Sequence, residues 1–249
     1  MHNGFASVDD LRNPEWEIQV DLLSKRDLGG LGIDGWSRHW SRRWEFPWAF
    51  ATICRNFTAE SHPEVLESGC GVTPLPFWLA GEGFHVIGVD LDRTCEAKWH
   101  ATDVPCRPEP SATRFECGDM LNLPRDNASV DIVCSVSAIE HTADPARAVS
   151  EMIRVLKPRG GLVLTMDVDI RGSESVAWQP FCEIVAMLER ATKPMLPVRH
   201  TIPTRLLTFE NRTVQPQSAT RLLLKRILDH AGIRKRSNQT VFAWAGEKL

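Results

Sequence analysis

Apolar and polar positions change rhythm twice along this chain. Between residues 14 and about 25, Trp16, Ile18, Val20, Leu22 and Leu23 recur with a spacing that is helical in part, and a helix is expected there. A glycine-rich joint, DLGGLGIDG, follows. Trp36, Trp40, Trp44 and Trp48 then stand four residues apart, which puts the first three on one helix face. Pro47 disfavours helical geometry at Phe46 and is expected to interrupt or restart that helix.

From 63 to about 169 short apolar runs alternate with amphipathic stretches. Strands are expected at 64–67, 84–89, 113–117, 129–136 and 162–168, with helices at 74–80, 93–101 and 144–156. Pro74 suits the first turn of its helix, and Asp144 caps the third with Pro145 behind it. The run Lys157-Pro158-Arg159-Gly160-Gly161 is expected to break that third helix after about Leu156. Beyond 169 the pattern loosens. It holds a helix within 178–191, a Pro-, Arg- and Thr-rich stretch, a helix at 218–231 and a closing strand at 240–245. In the 218–231 helix Leu222, Leu223, Ile227 and Leu228 would face inward. Four or five βα units in sequence predict an α/β fold with a mostly parallel, doubly wound sheet.

Length and charge narrow this further. At 249 residues the chain suits one large domain, or a domain with an appendage. A formal net charge of −3 argues against a protein built to grip a nucleic-acid backbone. The seven cysteines show no CxxC pair, so zinc ribbons and iron–sulfur clusters find no support, and reduced thiols in the cytoplasm are expected. The polar, acidic start is the wrong chemistry for a leader, and no apolar run approaches the ~18 residues that span a bilayer. No metal site is expected.

In an open parallel sheet, ligands bind beyond the carboxyl ends of the strands. After the first strand comes Glu67-Ser68-Gly69-Cys70-Gly71, whose glycines allow a tight turn and a close ligand approach. After the second comes Asp90, able to accept from both hydroxyls of a ribose. Gly118-Asp119-Met120 follows the third strand, and Ser135 to His141 the fourth. A dinucleotide site would want a third glycine where Pro74 stands. Glu67 adds negative charge where a pyrophosphate would sit, and suits an amino group or a sulfonium instead.

The segments VLESGCG, VIGVDLD, GDMLNLP, VDIVCSVSAIEH and RVLKPRGGLVLTMD resemble, in this order, the class I S-adenosylmethionine-dependent methyltransferases of the broad small-molecule and glycan group. The likeness covers about residues 63–169 and implies a Rossmann-like, seven-stranded sheet. It implies that S-adenosylmethionine is the cofactor and S-adenosylhomocysteine the product. Glu67, Gly69, Cys70 and Gly71 would line the methionine part, Asp90 would hold the ribose, and Leu91 would flank the adenine. Asp119 would bond the adenine amino group with Met120 alongside, and Ser135 and the loop to His141 would close the site. The expected division is an N-terminal helical cap over 1–60 and the cofactor-binding domain over 61–249, with a substrate-side insertion at 170–216 after the fifth strand. The sequence departs from the family in carrying Glu67 where Asp is usual, and Val72-Thr73-Pro74 where small residues are usual.

Each candidate also has a plainer reading. Asp90 and Asp119 could each be helix caps. His141 could take a proton from an acceptor hydroxyl, or only pack its loop. Asp167 and Asp169 share a strand face and could hold a divalent cation, or face solvent or a substrate at a loop start. The tryptophans could stack on an acceptor or form core, and Arg38, Arg42 and Arg43 could meet a ligand anion or lie on a solvated face. Arg234-Lys235-Arg236 is expected as an exposed turn. The reading adopted is direct methyl transfer to a small-molecule or glycan acceptor, by preference at oxygen. A silent methyltransferase-like binding module and a nicotinamide oxidoreductase stand as alternatives.

Overall fold

The computed structural model describes residues 1–26, 36–102, 112–169, 175–208 and 239–249. The expected 218–231 helix, the Gly-rich joint and the 234–236 basic turn lie outside them. Among the described residues nine strands form one sheet. They are β1 (Gly4–Phe5), β2 (Glu64–Ser68), β3 (His85–Asp90), β4 (Thr113–Cys117), β5 (Val130–Val136), β6 (Leu156–Asp169), β7 (Val176–Ala177), β8 (Thr192–Pro194) and β9 (Gln239–Lys248). The continuous order is β1-β9-β6-β5-β2-β3-β4, with β7 on β6 and β8 on β9. The β4-β3-β2-β5-β6 block is parallel, and β9 closes it antiparallel. The order reverses between β2 and β5, so a crevice opens beyond their carboxyl ends.

The period-2 alternation of the central strands builds two apolar layers. Val65, Val86, Ile132, Val163 and Ala243 face one layer, while their neighbours Leu66, Ile87, Val133, Leu164 and Phe242 face the other. The first layer is covered by α2 (Pro14–Ser24), α3 (Arg42–Asn56) and α4 (Leu75–Gly81). The second is covered by α6 (Pro145–Val155) and α7 (Trp178–Ala191). Between α4 and the β4 edge, α5 (Thr94–Ala101) inserts Trp99 among Cys70, Phe77 and Phe115. Asp144 accepts from the Arg147 amide at 2.9 Å and Pro145 opens α6, as the sequence predicts.

Three local expectations are corrected. Pro47 neither interrupts nor restarts a helix, because α3 runs through it. A proline there leaves the carbonyl four residues back without its usual donor. That carbonyl belongs to Arg43, and the Trp16 indole N–H donates to it at 3.3 Å. The third helix ends at Val155, before the Lys157–Gly161 run as expected, but the fifth strand starts earlier than Leu162, since β6 takes in the run as a bulge. Its pairing jumps from Val130↔Leu156 to Ile132↔Gly161, with Arg159 left-handed at φ 65°. Finally, the stretch from residue 1 opens on a strand before α1 (Val8–Leu11). The Asn3 amide docks it to β9, donating to the Ala245 carbonyl at 2.9 Å and accepting from the Ala245 amide at 2.8 Å.

The tryptophans form core, not an acceptor platform. Trp16, Trp44 and Trp48 make a stacked column with centroid spacings of 6.0 and 5.7 Å. Trp36 turns instead to the edge of Trp78 at 5.0 Å.

Candidate functional site

A cleft of about 370 Å³ opens at the reversal point, over the tips of β2, β3 and β5. Its floor is the turn after β2. Gly69 and Gly71 are left-handed, at φ 72° and 48°. A Cβ on Gly69 would stand 2.5 Å from Met120 Cε and Ala138 Cβ, whereas one on Gly71 would meet nothing within 4 Å. The bare backbone of Gly71 therefore faces open space, a surface a ligand can approach. The turn is pinned from behind, where the Trp99 indole donates to the Gly71 carbonyl at 2.8 Å. Gly88 makes that possible, since a Cβ there would lie 2.3 Å from the Trp99 ring.

Asp90 ends β3 on the cleft wall. One carboxylate oxygen accepts the Gly71 amide at 2.8 Å, and the other accepts the Asp92 amide at 2.9 Å. The carboxylate is thus aimed, with lone pairs to spare on both oxygens. Leu91 beside it is 67% exposed, an apolar side chain at the rim. Met120 lines the wall with Gly118. Asp119 between them turns back on its own loop, its Oδ1 accepting the Leu121 amide at 2.8 Å.

Glu67 is buried beneath the glycine turn. Its Oε1 accepts from the Thr73 hydroxyl at 3.3 Å, while Oε2 is shut off from water with no partner among the described residues. Burial pushes this carboxyl up to about 8, only partly opposed by the Thr73 bond and the Arg42 charge. Cys70 is a buried thiol, and burial raises it so far that it stays protonated.

The fourth wall is the segment after β5. His141 and Ser137 line the cleft. Ser135 does not: it is fully buried, and its hydroxyl donates to the Ser68 carbonyl at 2.8 Å, tying β5 to β2. Residues two apart share a strand face, so alternation alone does not separate the two serines; Ser135 lies within β5 bonded to β2, whereas Ser137 falls just past the strand end, on the cleft wall. Ser137 is left-handed at φ 43°, and its hydroxyl donates to the buried Glu45. The same Glu45 oxygen accepts from Thr165 at 2.7 Å, and the other accepts from Arg42 at 3.2 Å. Arg42 also donates to the carbonyls of Val136 at 3.2 Å and Ser137 at 3.4 Å. Its guanidinium lines the cleft rather than a solvated helix face. The sequence offered Arg42 only alongside Arg38 and Arg43 as a partner for a ligand anion; its spacing of three from Glu45 on α3 is what distinguishes it.

Asp167 and Asp169 are not solvent-facing either. Both lie in β6, and Asp169 is buried. Asp167 approaches Glu140, whose Oε1 accepts the Asp167 amide at 3.4 Å. Among the described residues no group of three or more His, Cys, Asp or Glu is arranged to hold a metal ion.

The donor set fits a cationic adenosyl ligand. A buried carboxyl oxygen without a partner and a bare glycine backbone suit an ammonium and a sulfonium, an aimed carboxylate could accept from ribose hydroxyls, and a single guanidinium could meet a carboxylate. A pyrophosphate would meet Glu67 and Asp90 with too few cations.

Comparison with known proteins agrees. The family model described as "Methyltransferase domain" matches residues 66–164. A Mycolicibacterium smegmatis protein described as a probable S-adenosylmethionine-dependent methyltransferase is 37% identical over 97 residues, 39% of this chain and 35% of its own. The malonyl-[acyl-carrier protein] O-methyltransferase of Erwinia billingiae is 32% identical over 129 residues, 49% of this chain and 47% of its own. The match thus spans about half or less of these relatives' length. Among solved structures, geranyl diphosphate C-methyltransferase from Streptomyces coelicolor A3(2), bound to Mg2+, geranyl diphosphate and S-adenosyl-L-homocysteine, superposes with TM-score 0.57 at 16% identity. That superposition covers 95% of this chain and 99% of the other, and at such identity it speaks to fold.

Proposed function

We propose that this chain, a class I S-adenosylmethionine-dependent methyltransferase, transfers the methyl group to a hydroxyl of a small-molecule or glycan acceptor in the cytoplasm. The observation that carries the site assignment is the aimed carboxylate of Asp90 over the open Gly71 backbone. On this reading Glu67 Oε2 meets the cationic methionine end, and Arg42 its carboxylate. Gly69, Cys70 and Gly71 bed the chain between. Asp90 holds the ribose, Leu91 and Met120 flank the adenine, and Asp119 takes its amino group. His141 stands on the acceptor side as the proton acceptor. The N-terminal cap contributes Arg42 of α3 to the cleft, and residues 175–208 are the described part of the substrate-side insertion.

The cofactor supplies an activated methyl on a sulfonium. The residues of this chain align the acceptor in line with it, exclude water and take the acceptor's proton. No described helix is long and apolar enough to cross a membrane.

Calorimetry with S-adenosylhomocysteine and with NAD tests the cofactor side. Binding of the first at micromolar strength or better is expected, and preference for NAD would sink the reading. Incubation with labelled cofactor and a pool of hydroxylated, amine and thiol acceptors, read by mass, tests the acceptor side. Methylated products confined to amines or thiols would overturn O-methylation. Cofactor binding with no product from any member would favour a binding module.

A further inference from the structure

An acid sealed inside a protein persists only where donors surround it, and Glu45 of α3 is such an acid. Its Oε1 accepts from the hydroxyls of Ser137 and Thr165, and its Oε2 accepts from Arg42 at 3.2 Å. Thr165 lies in β6, while Ser137 opens the loop after β5. The Ser137 amide also donates to the Thr165 hydroxyl at 3.2 Å, which closes the ring of bonds. Glu45 itself does not line the cleft, but Arg42 and Ser137, the groups it holds, both do.

The Arg42 donors are divided between protein and cleft. Nη1 gives its hydrogens to Glu45 and to the Val136 carbonyl, both at 3.2 Å, and Nη2 gives one to the Ser137 carbonyl at 3.4 Å. The guanidinium carbon also sits 5.5 Å from the centre of the Phe46 ring. Nε–H and the second Nη2 hydrogen have no partner among the described residues. Donors on these two neighbouring nitrogens match the paired oxygens of a carboxylate. A buried acid beside a cation can act in two opposed ways. It offsets the charge, which weakens the pull on an anion, and it fixes direction, which spares the ligand the cost of ordering a long side chain. Direction prevails here, because Glu45 holds Arg42 twice. It binds the guanidinium, and it also clamps the left-handed Ser137, at φ 43°, whose carbonyl is another of the Arg42 supports.

We infer that Glu45 is a positioning residue for the cofactor: through Arg42 and the Ser137 turn it aims two free guanidinium donors at the carboxylate of the methionine end. The assignment rests on the reading that sets Arg42 against that carboxylate. It makes the first turn of α3 part of cofactor recognition, with an acid that never touches the ligand.

The test is calorimetry on the full chain with two ligands, S-adenosylhomocysteine and its decarboxylated counterpart, which keeps the adenosine, the sulfur and the amine. The wild type should bind the first about tenfold more tightly or better, the range of a charge-assisted pair, and Arg42→Met should erase most of that ratio. Glu45→Gln keeps the shape, and Glu45→Asp keeps the charge but is too short to reach all its donors. Each should cut the ratio by about threefold or more, and Glu45→Gln added to Arg42→Met should change it by less than about twofold. Because both ligands share the rest of the cleft, general damage to the fold weakens them alike and leaves the ratio standing. A wild-type or larger ratio in Glu45→Gln and Glu45→Asp, equal loss of both ligands, or a further drop in the double variant would each overturn the inference. So would failure of both Glu45 variants to bind either ligand, which would make Glu45 a support of the fold alone. A wild-type ratio near one, or an undiminished ratio in Arg42→Met, would instead strike the placement of Arg42 against the carboxylate.

Discussion

Asp90 makes two amide hydrogen bonds before any ligand arrives, and this preparation sets what its loss should cost. Asp90→Ala removes a bidentate acceptor for two ribose hydroxyls and frees the Gly71 amide. We expect S-adenosylhomocysteine to bind weaker by about 2–3 kcal/mol, roughly 30- to 150-fold, by calorimetry. An unchanged Kd would place the ribose elsewhere. Glu67 yields a prediction about pH. In the empty cleft its carboxyl titrates at about 8, so near neutrality it is mostly protonated, and a cationic ligand must displace that proton. Ligand affinity should therefore rise with pH toward about 8 and then flatten, with proton release detectable by calorimetry in buffers of different ionisation enthalpy. Glu67→Gln should bind more weakly and lose the slope; a variant that keeps the slope would assign it to another group. Glu67, the glycines and Asp90 were legible because a strand followed by a turn fixes where the next side chain points. Ser135 and Ser137 were not separable, since residues two apart share a strand face and choosing between them needs the strand's exact end.

At the scale of elements, Trp16 and Pro47 form a coupled pair across α2 and α3. The indole N–H supplies the donor that the proline removes from the Arg43 carbonyl. Trp16→Phe keeps most of the apolar ring but strands that carbonyl, at about 1–3 kcal/mol. In a Pro47→Ala background the helix provides its own amide, and the same substitution should cost measurably less. Urea unfolding of the four proteins gives the coupling directly, and additive effects would mean the bond carries nothing. Gly88 couples β3 to α5 in a similar way. Gly88→Ala must displace the Trp99 ring that pins the Gly71 carbonyl. Stability should fall by about 1–3 kcal/mol, and S-adenosylhomocysteine affinity should fall with it. Wild-type affinity in this variant would uncouple the ring from the turn. The parallel core strands were readable from continuous apolar runs. The α3 continuity and the β6 bulge were not, because Pro47 and the KPRGG run each carry a local breaker signal that tertiary partners override.

Across the whole molecule, the buried acids set a pH profile for the fold. Glu67, Glu140 and Asp167 all titrate higher in the folded state than in the unfolded chain, chiefly through burial. The folded state then holds more protons than the unfolded one at intermediate pH, so stability falls as pH rises. Their contribution is complete below the ordinary carboxylate range and disappears as pH climbs through their raised values, about 8 for Glu67. The ligand-free protein should show a lower Tm at pH 8.5 than at about pH 5.5, with the drop reduced in Glu67→Gln and Asp167→Asn. A flat profile in the wild type would mean these carboxyls are hydrated in solution.

The same helix that buries Glu45 also delivers Arg42 to the cleft, and the first few residues zip onto the last strand. A shortened protein beginning near residue 61 would therefore lose more than a roof. It would bare the flank that Trp44, Trp48 and Ile53 now shield, reopen the free edge of β9, and leave the loop at Ser137 without the anchors that hold its unfavourable turn. Such a fragment should clump rather than survive as a smaller working core, which makes the described residues of 1–60 a structural foundation of the sheet.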